Sequence, residues 1–160
     1  LSAVDIIKTK RTVFILIKEG KMRLTRGGEY GIRGMLYLAM QPGESVTLLS
    51  EISTAQRIPE SYLAKIFQTL TKAGLVRSHR GFKGGYSLAR SAGDITIKDI
   101  IEGVEGPIAL NQCSQEVSKC AEENRCKIQN VWKDAQNAMV GVLDGTTLAD
   151  LVTETLAGQS

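Results

Sequence analysis

Residues 75–90 read Leu-Val-Arg-Ser-His-Arg-Gly-Phe-Lys-Gly-Gly-Tyr-Ser-Leu-Ala-Arg. Leu75 to His79 reads as a short strand, Arg80 to Gly85 as a turn, and Tyr86 to Ala89 as the returning strand. The glycines let the backbone turn tightly and approach a partner closely. Arg77, His79, Arg80 and Lys83 sit on or beside that turn. A plain hairpin with a solvated basic tip has the same composition, so the flanking residues decide what it is.

Upstream, Pro59 opens a helix that carries Tyr62, Leu63, Ile66, Phe67 and Leu70 on one face and runs to about Ala73. Gly74 closes it. Before it lies a short helix with Leu48, Leu49 and Ile52, for which Thr47 or Ser45 is the expected cap. Residues 47–74 therefore read helix, tight turn, helix. A first helix starts at Thr25, shows Ile32, Met35, Leu36, Leu38 and Ala39, and ends at Pro42-Gly43. A helix-turn-helix followed at once by a glycine-rich basic hairpin is the pattern of a winged helix. The expected fold is mainly α with one small β-hairpin and a long C-terminal helix.

Downstream, Thr96 is expected to cap a helix of Ile97, Ile100, Ile101 and Val104, which Gly106-Pro107 ends. Then comes Cys-Ser-Gln-Glu-Val-Ser-Lys-Cys-Ala-Glu-Glu-Asn-Arg-Cys, holding all three cysteines of the chain: Cys113, Cys120 and Cys126. Beyond it, Ile128, Val131, Trp132, Ala135, Ala138, Met139, Val142 and Leu143 repeat at helical spacing. That stripe is long for the end of a small domain and suggests the same helix of a second subunit as its partner.

Cysteine usually behaves as a small buried hydrophobe, which does not suit a segment this polar. One disulfide would leave a thiol over. The gaps of six and five residues are wide for a zinc knuckle. A flexible loop with such spacing can wrap a larger object, and thiolates are the usual ligands of iron–sulfur clusters. Lys119, Arg125 and Lys127 favour the thiolate forms. Oxidation of the same thiols as a redox switch is the competing use.

The chain has 160 residues, 42% of them hydrophobic, which is enough for a core. Its net charge of +3 hides an asymmetry. Residues 22–90 carry ten Lys/Arg against four Asp/Glu, and residues 91–160 carry five against eleven. The first half suits a polyanion and the second does not. We expect a DNA-binding region at 22–90 and a cysteine-loop and dimerisation region at 91–160. Residues 1–21 are basic, and Lys18-Glu19-Gly20-Lys21 before Met22 has codons compatible with a ribosome-binding sequence. They are expected to be a translated upstream extension, with a DNA-touching arm as the alternative. No signal peptide or transmembrane-length apolar run is present, so a cytoplasmic location is expected. No nucleophile–base constellation or phosphate-binding loop is present, and His79 is the single histidine, so an enzyme is not expected.

Met22-Arg23-Leu24-Thr25, Glu29-Tyr30-Gly31-Ile32-Arg33, Ile58-Pro59-Glu60-Ser61-Tyr62-Leu63 and Arg80 to Arg90 resemble the Rrf-two (BadM-type) family of winged-helix transcription regulators. The resemblance covers residues 22–155 and the family includes iron–sulfur regulators. It implies a homodimer, joined through about residues 128–143, on a roughly palindromic double-stranded operator. It also implies that Cys113, Cys120 and Cys126 hold a 2Fe–2S or 4Fe–4S cluster. One branch of the family supplies a His three residues after the third cysteine, where this chain has Gln129. Another uses an acidic residue at the eighth position, from the first helix of the other subunit. Counting from Met22, that residue is Glu29, whose plainer role is to favour the positive end of its helix.

In the recognition helix, Ser61, Tyr62, Lys65 and Gln68 are the candidates for DNA contact, with Tyr62 competing for a place in the core. In the wing they are Arg77, His79, Arg80, Gly81, Lys83, Gly84 and Gly85. Arg80 is the candidate for entering a minor groove, where narrow A·T tracts attract arginine.

Overall fold

The computed structural model describes residues 25–43, 45–110 and 126–158. They form α1 (Arg26–Ala39), α2 (Leu49–Gln56), α3 (Glu60–Lys72), β1 (Val76–His79), β2 (Gly85–Leu88), a 3₁₀ turn (Ala92–Asp94), α4 (Ile97–Glu105), α5 (Gln129–Gly145) and α6 (Leu148–Ala157). The mainly helical architecture with a two-stranded wing is as expected. The expectations for residues 1–21 lie outside the described residues. The described residues group into two compact units, one of residues 25–108 with 140–158, the other of residues 109–110 with 126–139.

In the larger unit, α1 packs against α2, α3, α4 and α6. Met35, Ile52, Leu63, Phe67, Leu70, Ile95, Ile100 and Leu148 are buried at its centre. Each contributes about 1.5–3 kcal/mol by leaving water. Gly34, inside α1, costs helix propensity but permits this packing. A Cβ there would stand 2.7 Å from Cε2 of Phe67.

The ends of the helices follow from capping chemistry. Thr25 Oγ1 accepts from Gly27 N–H at 3.1 Å and starts α1. Thr96 with Asp99, and Thr147 with Asp150, form reciprocal capping boxes at α4 and α6. Glu105, at the end of α4, reaches back to α1. Its Oε1 accepts from Thr25 N–H at 3.0 Å, the Thr25 hydroxyl at 2.6 Å and Gly28 N–H at 2.9 Å. A carboxylate there complements the positive end of α1.

Two expected boundaries are corrected. Neither Thr47 nor Ser45 caps α2. Leu48 stands at the cap position, and no side chain satisfies the start of that helix. The Thr47 backbone is instead engaged with Tyr86, donating at 2.9 Å and accepting at 2.8 Å, so Thr47 lies beside β2 as an added edge. Pro59 falls one residue before α3, because its ψ of 125° is extended.

Between α2 and α3 the chain turns through Arg57, in the left-handed region at φ 54° and ψ 45°. Ile58 is buried under the turn. Its N–H donates to Ser53 O at 3.0 Å, and the Ser53 hydroxyl donates to Ile58 O at 2.7 Å. These bonds hold the helix-turn-helix angle. The strands pair antiparallel, Val76 with Leu88 and His79 with Gly85. Tyr86 meets Phe67 edge-on with centroids 4.9 Å apart, which fixes the base of the wing to α3.

Candidate nucleic-acid interface and cysteine site

Helix α3 divides cleanly. Leu63, Ile66, Phe67 and Leu70 are buried, while Ser61, Lys65 and Gln68 are exposed at i, i+4 and i+7. The exposed stripe is the one a groove can meet. Tyr62 stands at its margin, 40% exposed, with its ring edge-on to Tyr30 at 5.7 Å. Its face belongs to packing and its rim to solvent.

The wing places its charges on a fixed stem. Arg77 donates to Ala89 O at 3.3 Å, and His79 Nε2 lies 2.9 Å from the Ser87 hydroxyl, so both brace the hairpin. Arg80 and Lys83 are exposed and make no hydrogen bond or ion pair among the described residues. Gly84 N–H donates to Gly81 O at 2.9 Å and closes the tip. Gly85 is required by close approach, since a Cβ there would stand 2.3 Å from Thr47 O. An open cleft of about 300 Å³ runs between the starts of α2 and α3 and the base of the wing, lined by Leu49, Glu60, His79, Gly84 and Tyr86 among others. The recognition-helix start and the wing therefore border one cleft. Phe82, at the tip of the wing, is the most exposed large apolar side chain among the described residues. Its only sequence signal is an aromatic within a glycine-rich turn.

Of the cysteine set, Cys113 and Cys120 lie outside the described residues. Cys126 is half-buried, in no disulfide, just before α5. Gln129 N–H donates to Cys126 O at 3.3 Å, and the Gln129 side chain is buried with its Nε2 lacking an acceptor among the described residues. A buried donor left unpaired costs about 1–3 kcal/mol. Of the three cysteines only Cys126 is described, and its free thiol is chemically suited to ligate iron as a thiolate. Glu29 is exposed in the first turn of α1, with Oε1 at 3.5 Å from Arg33 Nη1.

Residues 24–154 match the model of the Rrf2 family, described as iron-dependent transcriptional regulators. The chain belongs to the Rrf2 family. Rrf2 proteins are DNA-binding transcriptional regulators rather than enzymes, and the winged helix described above is the part built for that task. Among similar Rrf2 proteins is the HTH-type transcriptional regulator IscR of Serratia proteamaculans. It is 37% identical over 82% of this chain and 79% of its own length. A solved structure of IscR from T. potens is 34% identical with a TM-score of 0.69, covering 87% of this chain and 92% of that one. The structure of CymR, the global cysteine regulator of B. subtilis, is also 34% identical, with a TM-score of 0.68 over 84% of this chain and 98% of that one. No helix among the described residues is long and apolar enough to cross a membrane.

Proposed function

We propose that this Rrf2 protein is a cytoplasmic homodimeric regulator whose grip on a roughly palindromic operator is set by an iron–sulfur cluster. The carrying observation is a free, half-buried Cys126 at the foot of α5, three residues before Gln129, whose buried side-chain amide has no hydrogen-bond partner among the described residues. Cys113, Cys120 and Cys126 would hold the cluster, and Glu29 of the other subunit would supply a fourth ligand. When bound, the cluster supplies a centre sensitive to iron supply, nitric oxide and redox state.

The protein's own residues supply the rest. Ser61, Tyr62, Lys65 and Gln68 face the major groove from α3, as the second helix of such a motif does. Arg77, His79, Arg80 and Lys83 serve the wing, and Gly81, Gly84 and Gly85 set its turn, with backbone N–H groups near phosphate. For the dimer, Ile128, Val131, Ala135, Ala138 and Val142 support a helix seam. All five are exposed, and their spacing of three and four residues is that of a coiled-coil contact. Two subunits read half-sites about one helical turn apart, so a small rotation between them takes both out of register.

Anaerobic purification tests this reading. The protein should be brown, contain iron and sulfide, and lose most visible absorption when any one of the three cysteines becomes alanine. A triple-alanine variant with as much iron as wild type would place the site elsewhere. A second reading is favoured by the similarity, at 32% identity, to Staphylococcus aureus CymR, solved in an oxidized form. In it the chain is a cluster-free regulator switched by thiol oxidation. A colourless, iron-free protein whose DNA binding changes with oxidant selects that reading.

A further inference from the structure

The turn Gly81-Phe82-Lys83-Gly84 raises its aromatic ring away from the rest of the wing, and Phe82 is 103% exposed. A lone exposed apolar side chain carries no message by itself. This one differs in its placement. It stands at the end of a stem that is pinned three ways: by the β1–β2 pairing, by the double Thr47–Tyr86 bond, and by the Tyr86–Phe67 ring contact. A Cβ at Gly84 would lie 2.7 Å from His79 O and 2.8 Å from Gly81 O, so the turn behind the ring closes tightly on a glycine. Arg80 and Lys83 flank the ring and have no partner among the described residues. An apolar ring held between two free cations matches the chemistry of a minor-groove wedge. There an apolar side chain enters a base step while neighbouring cations take phosphates or the groove floor.

We propose that Phe82 is such a wedge: it enters the minor groove beneath the wing, partly unstacks one base step and bends the operator. This rests on the wing meeting DNA, as proposed above. A wedge is least costly at pyrimidine–purine steps, so TA or CA/TG is expected under the tip. Phe82 would then add a shape-based preference to whatever α3 reads directly.

The test uses the full chain and a duplex selected by the wild-type protein from a random-sequence pool. The duplex is end-labelled for energy transfer and carries 2-aminopurine at the step beneath the wing. Phe82 makes no core contact, so Phe82→Ala should keep the wild-type melting curve. It should weaken binding by about 5- to 150-fold, the range of a lost base–aromatic contact. The salt slope should stay unchanged, because no charge is removed. The energy-transfer bend and the 2-aminopurine brightening should both disappear, and Phe82→Leu should restore part of each. If Phe82→Ala binds and bends DNA as wild type does while Arg80→Ala weakens binding, the wing meets DNA and the wedge is overturned. If neither variant changes binding, the wing contact itself is wrong. A Phe82→Ala protein that changes only its self-association assigns the ring to a protein surface and overturns the wedge.

Discussion

Arg33 links Glu29 to the helix-turn-helix. Its Nη1 lies 3.5 Å from Glu29 Oε1, and its Nη2 donates to the carbonyl of Gln56, the last residue of α2. The same guanidinium lies 5.7 Å over the ring of Tyr30. Arg57 turns the chain toward α3 directly after Gln56. One side chain thus spans the distance from the candidate fourth ligand to the turn that aims the recognition helix.

An exposed ion pair one helical turn apart is worth only about 0.3–0.5 kcal/mol. Glu29→Gln should therefore leave the fold, the dimer and the melting temperature nearly untouched. Any large change in visible spectrum or redox potential then reports a lost ligand. Arg33→Ala should do the reverse. It removes a charge-assisted hydrogen bond worth about 1.5–3 kcal/mol. It should loosen DNA binding while the spectrum stays as in wild type. Anaerobic spectroscopy and operator binding on the two variants separate these roles. An unchanged spectrum and potential in Glu29→Gln would remove it from the ligand set.

Gly85 should be the least replaceable glycine of the wing. A methyl group there would stand 2.3 Å from Thr47 O. The backbone can relieve that clash only by breaking the Thr47–Tyr86 pair. Gly85→Ala should cost about 1–3 kcal/mol, the usual range for overpacking. Gly81→Ala has open space around the new methyl and meets only the strain of φ 106°. Urea denaturation of both variants checks the order, and equal losses would mean that the Thr47 contact does not govern the wing.

The helices and the hairpin were legible because their signals are local. The first helix begins directly after Thr25, Thr96 caps as expected, Gly74 and Gly106 adopt positive φ, and the apolar face of α3 is the buried one. What escaped is long-range or depends on exposure. Thr47 looks like a helix cap until Tyr86, far along the chain, takes its backbone. Glu105 caps a helix 80 residues earlier in sequence, which no window reveals. In the stripe on α5, apolarity alone does not separate half-buried Trp132, Met139 and Leu143 from exposed Ile128, Val131 and Val142. Gln129 looks a poor metal ligand in sequence, and only its burial shows an amide without an acceptor among the described residues.

That division of α5 makes the dimer testable. Val131 and Val142 are 60% and 68% exposed, so a charge at either should spare the monomer fold. Val131→Asp and Val142→Asp should shift sedimentation from dimer to monomer and reduce operator affinity steeply, because half-site binding is lost. Leu143 packs against the core of the larger unit, so Leu143→Asp should instead unfold it. Dimers that survive both valine changes would place the contact on another surface.

The capping box of α6 predicts a pH dependence. The Thr147 hydroxyl, then its backbone N–H, donate to Asp150 and hold its carboxyl below the ordinary carboxylate value. A folded pKa below the unfolded one stabilises the protein above the unfolded pKa. That contribution is lost as pH falls through the folded value. Thr147→Val removes the larger cause, so the Asp150 pKa should rise toward its ordinary value and the part of the stability lost on acidification should shrink. Carboxyl NMR titration of both proteins reads this directly. An unmoved Asp150 in the variant would assign the depression to another group.

Arg80 and Lys83 separate shape reading from charge neutralisation. Both are exposed and unpaired among the described residues, on a tip whose stem is fixed by Thr47 and Phe67. If Arg80 enters a minor groove, its guanidinium gains most where the groove is narrow and its potential most negative. Arg80→Ala should then cost about 1–3 kcal/mol, comparable to a good base-edge contact. The loss should be larger on operators with an A·T tract under the wing. Lys83, a point charge, suits phosphate, and Lys83→Ala should weaken all sequences nearly equally while lowering the salt slope by about one unit. Measuring both variants on paired operators across several salt concentrations distinguishes the two. If Arg80→Ala loses affinity uniformly with the same unit drop in slope, it too is a phosphate contact and the wing reads no groove width. If neither variant changes affinity or slope, the wing is not at the DNA.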